Sequence, residues 1–187
     1  IYGYLEHKDS PRFPVYQFTQ ADINANKIHF ILNKIDDRIS EDYFEFDVVD
    51  KHGNILKANK FFIRWSLVNF EENELSIMES EGKVRVHIKK SGNLKRFSMV
   101  TCKTVSDTAK SNRDSRSYDF IHTNVKVEFN EDESLKACDI IINKDQQIEP
   151  IESFYVVLED SKYSVIGSKN RIKINILDKI QGKLLIK

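Results

Sequence analysis

The sequence predicts an all-β protein in which an antiparallel β-sandwich is preceded by a shorter β module. Two observations carry this. Apolar and polar residues alternate with a period of two along most of the chain, the pattern of strands with one face buried. From Lys83 onward the alternating runs are short and mostly bounded by turn-formers or charges, the spacing of a two-sheet sandwich. Helical periodicity is confined to "FTQADINANKIHF", where Thr19 and Asp22 mark a one-turn helix start.

Taken in order, the expected strands begin with "KIHFIL" (27–32) and "YFEFDVVD" (43–50), the latter ending at the turn "DKHG". "NILKANKFFIRWSLVNF" continues the alternation past Trp65, and the pattern changes character near Arg64–Trp65, where a domain boundary is placed. The expected units are 1–63, 64–180 and a linker over 181–187. Within the second unit the strands are "KVRVHIKK" (83–90), "RFSMVTCKT" (96–104), "NVKVEF" (124–129), "SLKACDIII" (134–142), "SFYVVLED" (153–160) and "RIKINILD" (171–178). "KKSGNLKR" (89–96) reads as a charged hairpin turn, and "KSNRDSR" (110–116) as a basic, solvated loop.

Composition narrows the function. At 187 residues, with twelve Phe and seven Tyr against six Gly and three Pro, the chain has the make-up of a folded protein with a real core. Lysine plus arginine equal aspartate plus glutamate at 29 each, which argues against a dedicated nucleic-acid binder. No apolar run approaches the roughly 18 residues of a membrane span. The start, "IYGYLEHK", carries neither an initiator Met nor a signal peptide and reads as a cut from something longer. The five histidines show no His-x-x-x-His spacing and none suggests a catalytic triad with a Ser or Cys. Acids at strand ends are more often metal ligands or solvated turns than a glycosidase pair, so a non-enzymatic protein is expected.

Two sets of motifs carry a resemblance. In the front segment, Phe18 and Gln20 precede Asp22-Ile23, then Ile28-x-Phe30, then Asp42-x-Phe44-x-Phe46-x-Val48-x-Asp50-x-x-Gly53. This resembles the C-terminal part of a chondroitin-sulphate-proteoglycan-type (CSPG) repeat, a cadherin-like β module. From Trp65 the chain shows a short strand through Phe70, then Glu79-x-x-Gly82-x-Val84-x-Val86 and the Phe97–Thr104 strand leading to Thr108-Ala109. Asp119-Phe120 then precedes Val127-x-Phe129, "IIINKD" runs to Asp145, Glu149-x-x-Glu152-x-Phe154 follows, and "INILD" ends at Asp178. This ordered set resembles a Calx-beta domain, an immunoglobulin-like sandwich. A CSPG repeat followed directly by a Calx-beta domain resembles the Fras/Frem family of extracellular matrix proteins.

The resemblance implies a calcium site at one end of the sandwich. The positions matching its ligands are Glu79, Asp119, Asp145 with Glu149, and Asp178; Glu152 matches the second acid of its turn motif but is left outside the set. Calcium is a hard cation that takes six to eight oxygens, which several carboxylates supply. Without a counter-charge, two carboxylates about 4 Å apart repel by about 4 kcal/mol at an effective dielectric of ~20. Calcium-sensing relatives carry further acids where this chain has Lys144 and Lys179. Two readings follow: one weakly held calcium acting as a structural clamp, or a tip neutralised by lysines without metal.

For Cys102 and Cys138, both on expected strands, the residues leave a disulfide and a pair of buried free thiols open. The extracellular setting implied by the family favours the disulfide. The same resemblance implies a non-enzymatic module of the basement membrane, stacked as a spacer in cell adhesion. Its partners would be other matrix proteins, family members among them, with a glycosaminoglycan contact at the basic loop. The rival readings are a calcium-sensing regulatory Calx-beta domain, as in sodium–calcium exchangers, and a carbohydrate-binding accessory module of a secreted enzyme. The latter calls for aromatics exposed in a row on one sheet face, whereas the aromatics here alternate as though inward.

Overall fold

The computed structural model describes residues 2–145, 147 and 149–178. The chain divides into two compact units, Ile1–Arg64 and Trp65–Lys187.

In the first unit, β1 (Gly3–His7), β2 (Ser10–Pro14) and β3 (Ile28–Leu32) form an antiparallel sheet in the order β2-β1-β3. The helix α1 (Gln20–Asn24) starts where the sequence marks it: the Thr19 hydroxyl accepts from the Asp22 amide, and the Asp22 carboxylate accepts from the Thr19 amide at 2.8 Å. β1 and β2 were not expected, because two prolines and a cluster of charges hide the alternation over residues 6–14.

A separate hairpin joins β4 (Glu41–Val49) to β5 (Ile55–Arg64), closed by a turn in which Gly53 takes φ +85°. Its aromatics do not point inward as the alternation suggested. Tyr43 pairs with Phe62 on one face, and on the other Phe44 stacks on Phe61 and meets Phe46 at a tilt. Tyr43, Phe61 and Phe62 are each about half exposed. A two-stranded ribbon presents both faces of its pleat, and within this unit no second layer of described residues buries either. The aromatics therefore form cross-strand pairs on two faces, not a row on one.

The second unit is a sandwich of two sheets. One has five strands in the order β10-β9-β12-β14-β7: β7 (Glu74–Met78), β9 (Ser98–Ser106), β10 (Asn124–Phe129), β12 (Glu152–Lys162) and β14 (Arg171–Leu177). The other has four in the order β11-β8-β6-β13: β6 (Ser66–Phe70), β8 (Lys83–Gly92), β11 (Leu135–Ile141) and β13 (Val165–Ile166). The inward positions recur every second residue, as Val84, Val86 and Ile88 on β8 and Ile172, Ile174 and Ile176 on β14. They enclose Phe70, Phe129 and a stacked pair, Phe120 on Phe154, with ring centroids 4.1 Å apart. The buried Cys102 of β9 and Cys138 of β11 are joined by a disulfide with a Cα separation of 6.6 Å, so the bond ties one sheet to the other.

Three features depart from the sequence reading. First, β7 and β13 were not expected, and both pair in parallel, β7 with β14 and β13 with β6, whereas the remaining pairs are antiparallel. The run after Phe70 leaves one sheet, crosses over residues 71–73 and joins the far edge of the other. Second, "KKSGNLKR" is not a hairpin turn. β8 and β9 lie in different sheets, so the segment carries the chain across the sandwich. Third, Lys90 within it is buried, its ammonium donating to the Arg96 carbonyl at 2.5 Å, and burial holds its pKa below the ordinary lysine value.

Candidate metal site at the end of the sandwich

Strand direction sets which loops meet. β9 and β14 end, and β10 and β12 begin, at one end of the five-stranded sheet, and β7 ends there too because it runs parallel to β14. In the facing sheet β8 begins where β11 ends. The loops before β8, between β9 and β10, between β11 and β12, and after β14 therefore converge.

Each loop is fixed by its own local contacts. Glu79 opens a 3-10 turn, Glu79–Glu81, that closes on Gly82 in the left-handed conformation at φ +73°. Its carboxylate accepts from the Asp145 amide at 2.6 Å, joining the first turn to the β11–β12 loop. Glu81 is exposed, and its carboxylate accepts from the Met78 amide. Asp119 sits one residue before the buried Phe120, and its carboxylate accepts from the Lys110 amide at 2.7 Å. Asn143 bonds the Asp119 carbonyl through its own amide and the Tyr118 carbonyl through its side chain. Asp178, at the end of β14, accepts from the Glu149 amide at 3.0 Å.

A single pocket is lined by Glu79, Asp119, Asp145, Glu149, Glu152 and Asp178, with Asn143 and Tyr118 beside them. All five acids proposed from sequence are thus brought together, and Glu152, which had been left out, joins them. The Asp119, Glu149 and Glu152 oxygens lie within 4.8 Å of one another. Two residues before Phe154, Glu152 is held by the Phe120–Phe154 stack against the loop that carries Asp119. The i, i+2 offset from a core aromatic is the sequence signal that marks both Glu152 and the strand face it shares.

The electrostatics follow from this crowding. Burial, followed by the charges of Asp119, Asp145, Glu79 and Asp178, pushes the Glu149 carboxyl above its ordinary range. Burial and a hydrogen bond shared with Asp119 push Glu152 up to about 7, Lys110 pulling weakly the other way. Among the described residues none that line the pocket is basic. Lys144, expected as a candidate neutralising group, folds the end of its side chain over Gly82, where a Cβ would come within 2.1 Å of its Cε and 2.8 Å of its Nζ. Lys179 lies outside the described residues. The donors are all oxygen and mostly anionic, a set that suits calcium over softer metals.

The basic loop 110–116 is more constrained than a solvated tether. Asp114 is bound by the hydroxyls of Ser106 and Ser111, and the Lys110 ammonium by the Asp107 carbonyl. The loop thereby holds the amide that orients Asp119, a role its composition does not signal.

Comparison with known proteins places these features. Residues 65–179 match the family model of the Calx-beta domain, and residues 1–64 that of a cadherin-like domain. The extracellular matrix organizing protein FRAS1 of Homo sapiens is 34% identical over 177 residues, covering 95% of this chain and 4% of the relative. The FRAS1-related extracellular matrix protein 2 of the same species is 28% identical over 177 residues, covering 95% and 5%. This chain therefore spans a small part of the length of the curated relatives it matches. Among solved structures, the apo form of a Calx CBD1 domain superposes with a TM-score of 0.56 at 21% identity, covering 62% of this chain and 99% of that one. The calcium binding domain CBD12 of CALX1.1 gives 0.54 at 22% identity, covering 59% and 45%. At these identities the two structures speak to the fold alone.

Proposed function

Because this chain belongs to the Calx-beta family, joined to a cadherin-like module as in FRAS1-type matrix proteins, we propose that it is a structural module of the extracellular matrix rigidified by calcium. It acts without catalysis, as a spacer and interaction surface in basement-membrane adhesion. The observation that carries the calcium reading is the convergence of six carboxylates, contributed by separate loops, on a pocket lined by no base among the described residues.

Glu79, Asp119, Asp145, Glu149, Glu152 and Asp178 supply the candidate ligands. The ion would supply the positive charge that lets these carboxylates stay close together, and so lock four loops into one body. In the ion's absence, burial and the neighbouring Asp119 carboxylate hold the Glu152 carboxyl well above its ordinary range. The role is mechanical. The disulfide ties the two sheets together and the calcium ties their loops.

The partners of such a module are other matrix proteins, members of the same family among them. Arg113 and Arg116, the two arginines of the basic loop, offer a contact for sulphated glycosaminoglycans.

Calcium titration by calorimetry tests the site, with Asp119→Asn and Glu149→Gln beside the unmodified chain. The expected result is one weak class of binding at about 10⁻⁴–10⁻³ M, the range of extracellular modules, weakened in both variants. Absence of binding, or binding indifferent to both substitutions, removes the calcium clamp. Tight binding of several ions would instead mark a sensor.

A further inference from the structure

A second cluster of metal-ligating side chains lies on the outer face of the four-stranded sheet. Glu71 and Glu72 follow β6, in the short crossover that carries the chain to β7 in the opposite sheet. His87 lies on β8 between the buried Val86 and Ile88, so its ring is on the outer face and half-buried. The Glu71 amide donates to the His87 carbonyl at 3.2 Å, which sets the crossover directly against that strand. One ligand atom from each of Glu71, Glu72 and His87 falls within 4.8 Å of the others.

A separate observation points to a missing partner. The Glu72 Oε2 atom is sealed from solvent and has no hydrogen-bond partner among the described residues. A buried carboxylate oxygen left in that condition is costly, and such groups are normally paired or metal-bound. Arg85 and Lys83 are held by Asp139, with Arg85 Nε 2.7 Å from its carboxylate. The Lys169 ammonium donates to the Glu71 backbone carbonyl at 3.2 Å. Across the strand pair, the residue in register with His87 is Ala137, whose methyl group leaves space beside the imidazole.

We propose that Glu71, Glu72 and His87 bind a divalent metal ion of the zinc class. An imidazole nitrogen with two carboxylates is a borderline donor set that suits zinc better than calcium, and three protein ligands leave the fourth position to water. The ion satisfies the Glu72 oxygen and staples the crossover between the sheets to the outer face of β8. It is independent of the acidic pocket, whose donors are all oxygen.

Zinc chloride titrated into this chain, by calorimetry and with cobalt(II) absorption as a spectroscopic stand-in, tests the site. The variants are His87→Ala and Glu72→Gln, with Asp119→Asn as the control in the other pocket and far-UV circular dichroism to verify folding. Outer-sphere partners of metal ligands alone account for about 10–100-fold in affinity, so loss of a ligand is expected to cost at least that. The expected outcome is one equivalent of zinc, weakened at least tenfold in His87→Ala and Glu72→Gln and unchanged in Asp119→Asn. The proposal is overturned if the unmodified chain takes up no zinc, if folded His87→Ala and Glu72→Gln bind as it does, or if Asp119→Asn loses zinc equally.

Discussion

Breaking the Cys102–Cys138 bond gives the most quantitative test of the second unit. The two residues are 36 apart in sequence, and both are buried in the core. Closing a loop of that length in the unfolded chain removes about 13 cal/mol/K of entropy, or about 4 kcal/mol at 25 °C. A domain of this size shifts its midpoint by about 4 °C per kcal/mol, so the reduced protein is expected to melt roughly 15 °C lower. Reduction keeps both sulfurs in place, so the measurement isolates the cross-link from any cavity that a Cys→Ala substitution would leave. Because the sulfurs are shielded, the protein must be unfolded in reductant and refolded in it, with both thiols verified by alkylation and mass spectrometry. Equilibrium melting then compares the two forms. A reduced protein with free thiols and an unchanged midpoint would refute the reasoning, showing that the bond constrains nothing the fold does not already hold.

Two further outcomes bear on the acidic end. Glu152 is pushed up from its ordinary value to about 7, so the folded chain holds this proton more tightly than the unfolded chain does. Its contribution to stability therefore falls as pH rises from about 4.5 to about 7 and stays low above that window. Thermal midpoints measured in a calcium chelator should decline across this range, and calcium should flatten the decline; a profile that rises with pH across the window, with Glu152→Gln unchanged from it, contradicts the assignment. Gly82→Ala forces a side chain into a left-handed position at φ +73° and drives its Cβ against Lys144. A cost of about 1–2 kcal/mol is expected from the backbone alone. Calcium binding should weaken as well because Glu79 sits in the same turn, and calorimetry with a melting curve checks both; wild-type stability would sink the idea.

Much of the second unit was legible because its strands obey a local rule. "NVKVEF" became β10 at residues 124–129 without adjustment, and "KVRVHIKK" and "RIKINILD" alternate so regularly that core faces follow directly. β7 escaped notice because "ELSIM" lies at an edge, where one neighbour suffices and the alternation is short. The same crossover hid the Glu71, Glu72 and His87 cluster: His87 is fifteen residues from Glu72 along the chain, and only the pairing of β6 with β8 brings them together.

What the sequence determined by itself is where the long alternating strands of the second unit lie, which of their faces turn inward and which acids stand at their ends, since each depends on residues a few positions apart. Tertiary structure alone decided which strands share a sheet, that residues 89–96 cross between sheets instead of turning back, and that Glu152 enters the pocket while Lys144 covers Gly82. The physical reason is that pairing partners and loop convergence are set by long-range hydrogen-bond registers and by competition for the core. Neither leaves a trace in the spacing of neighbouring residues.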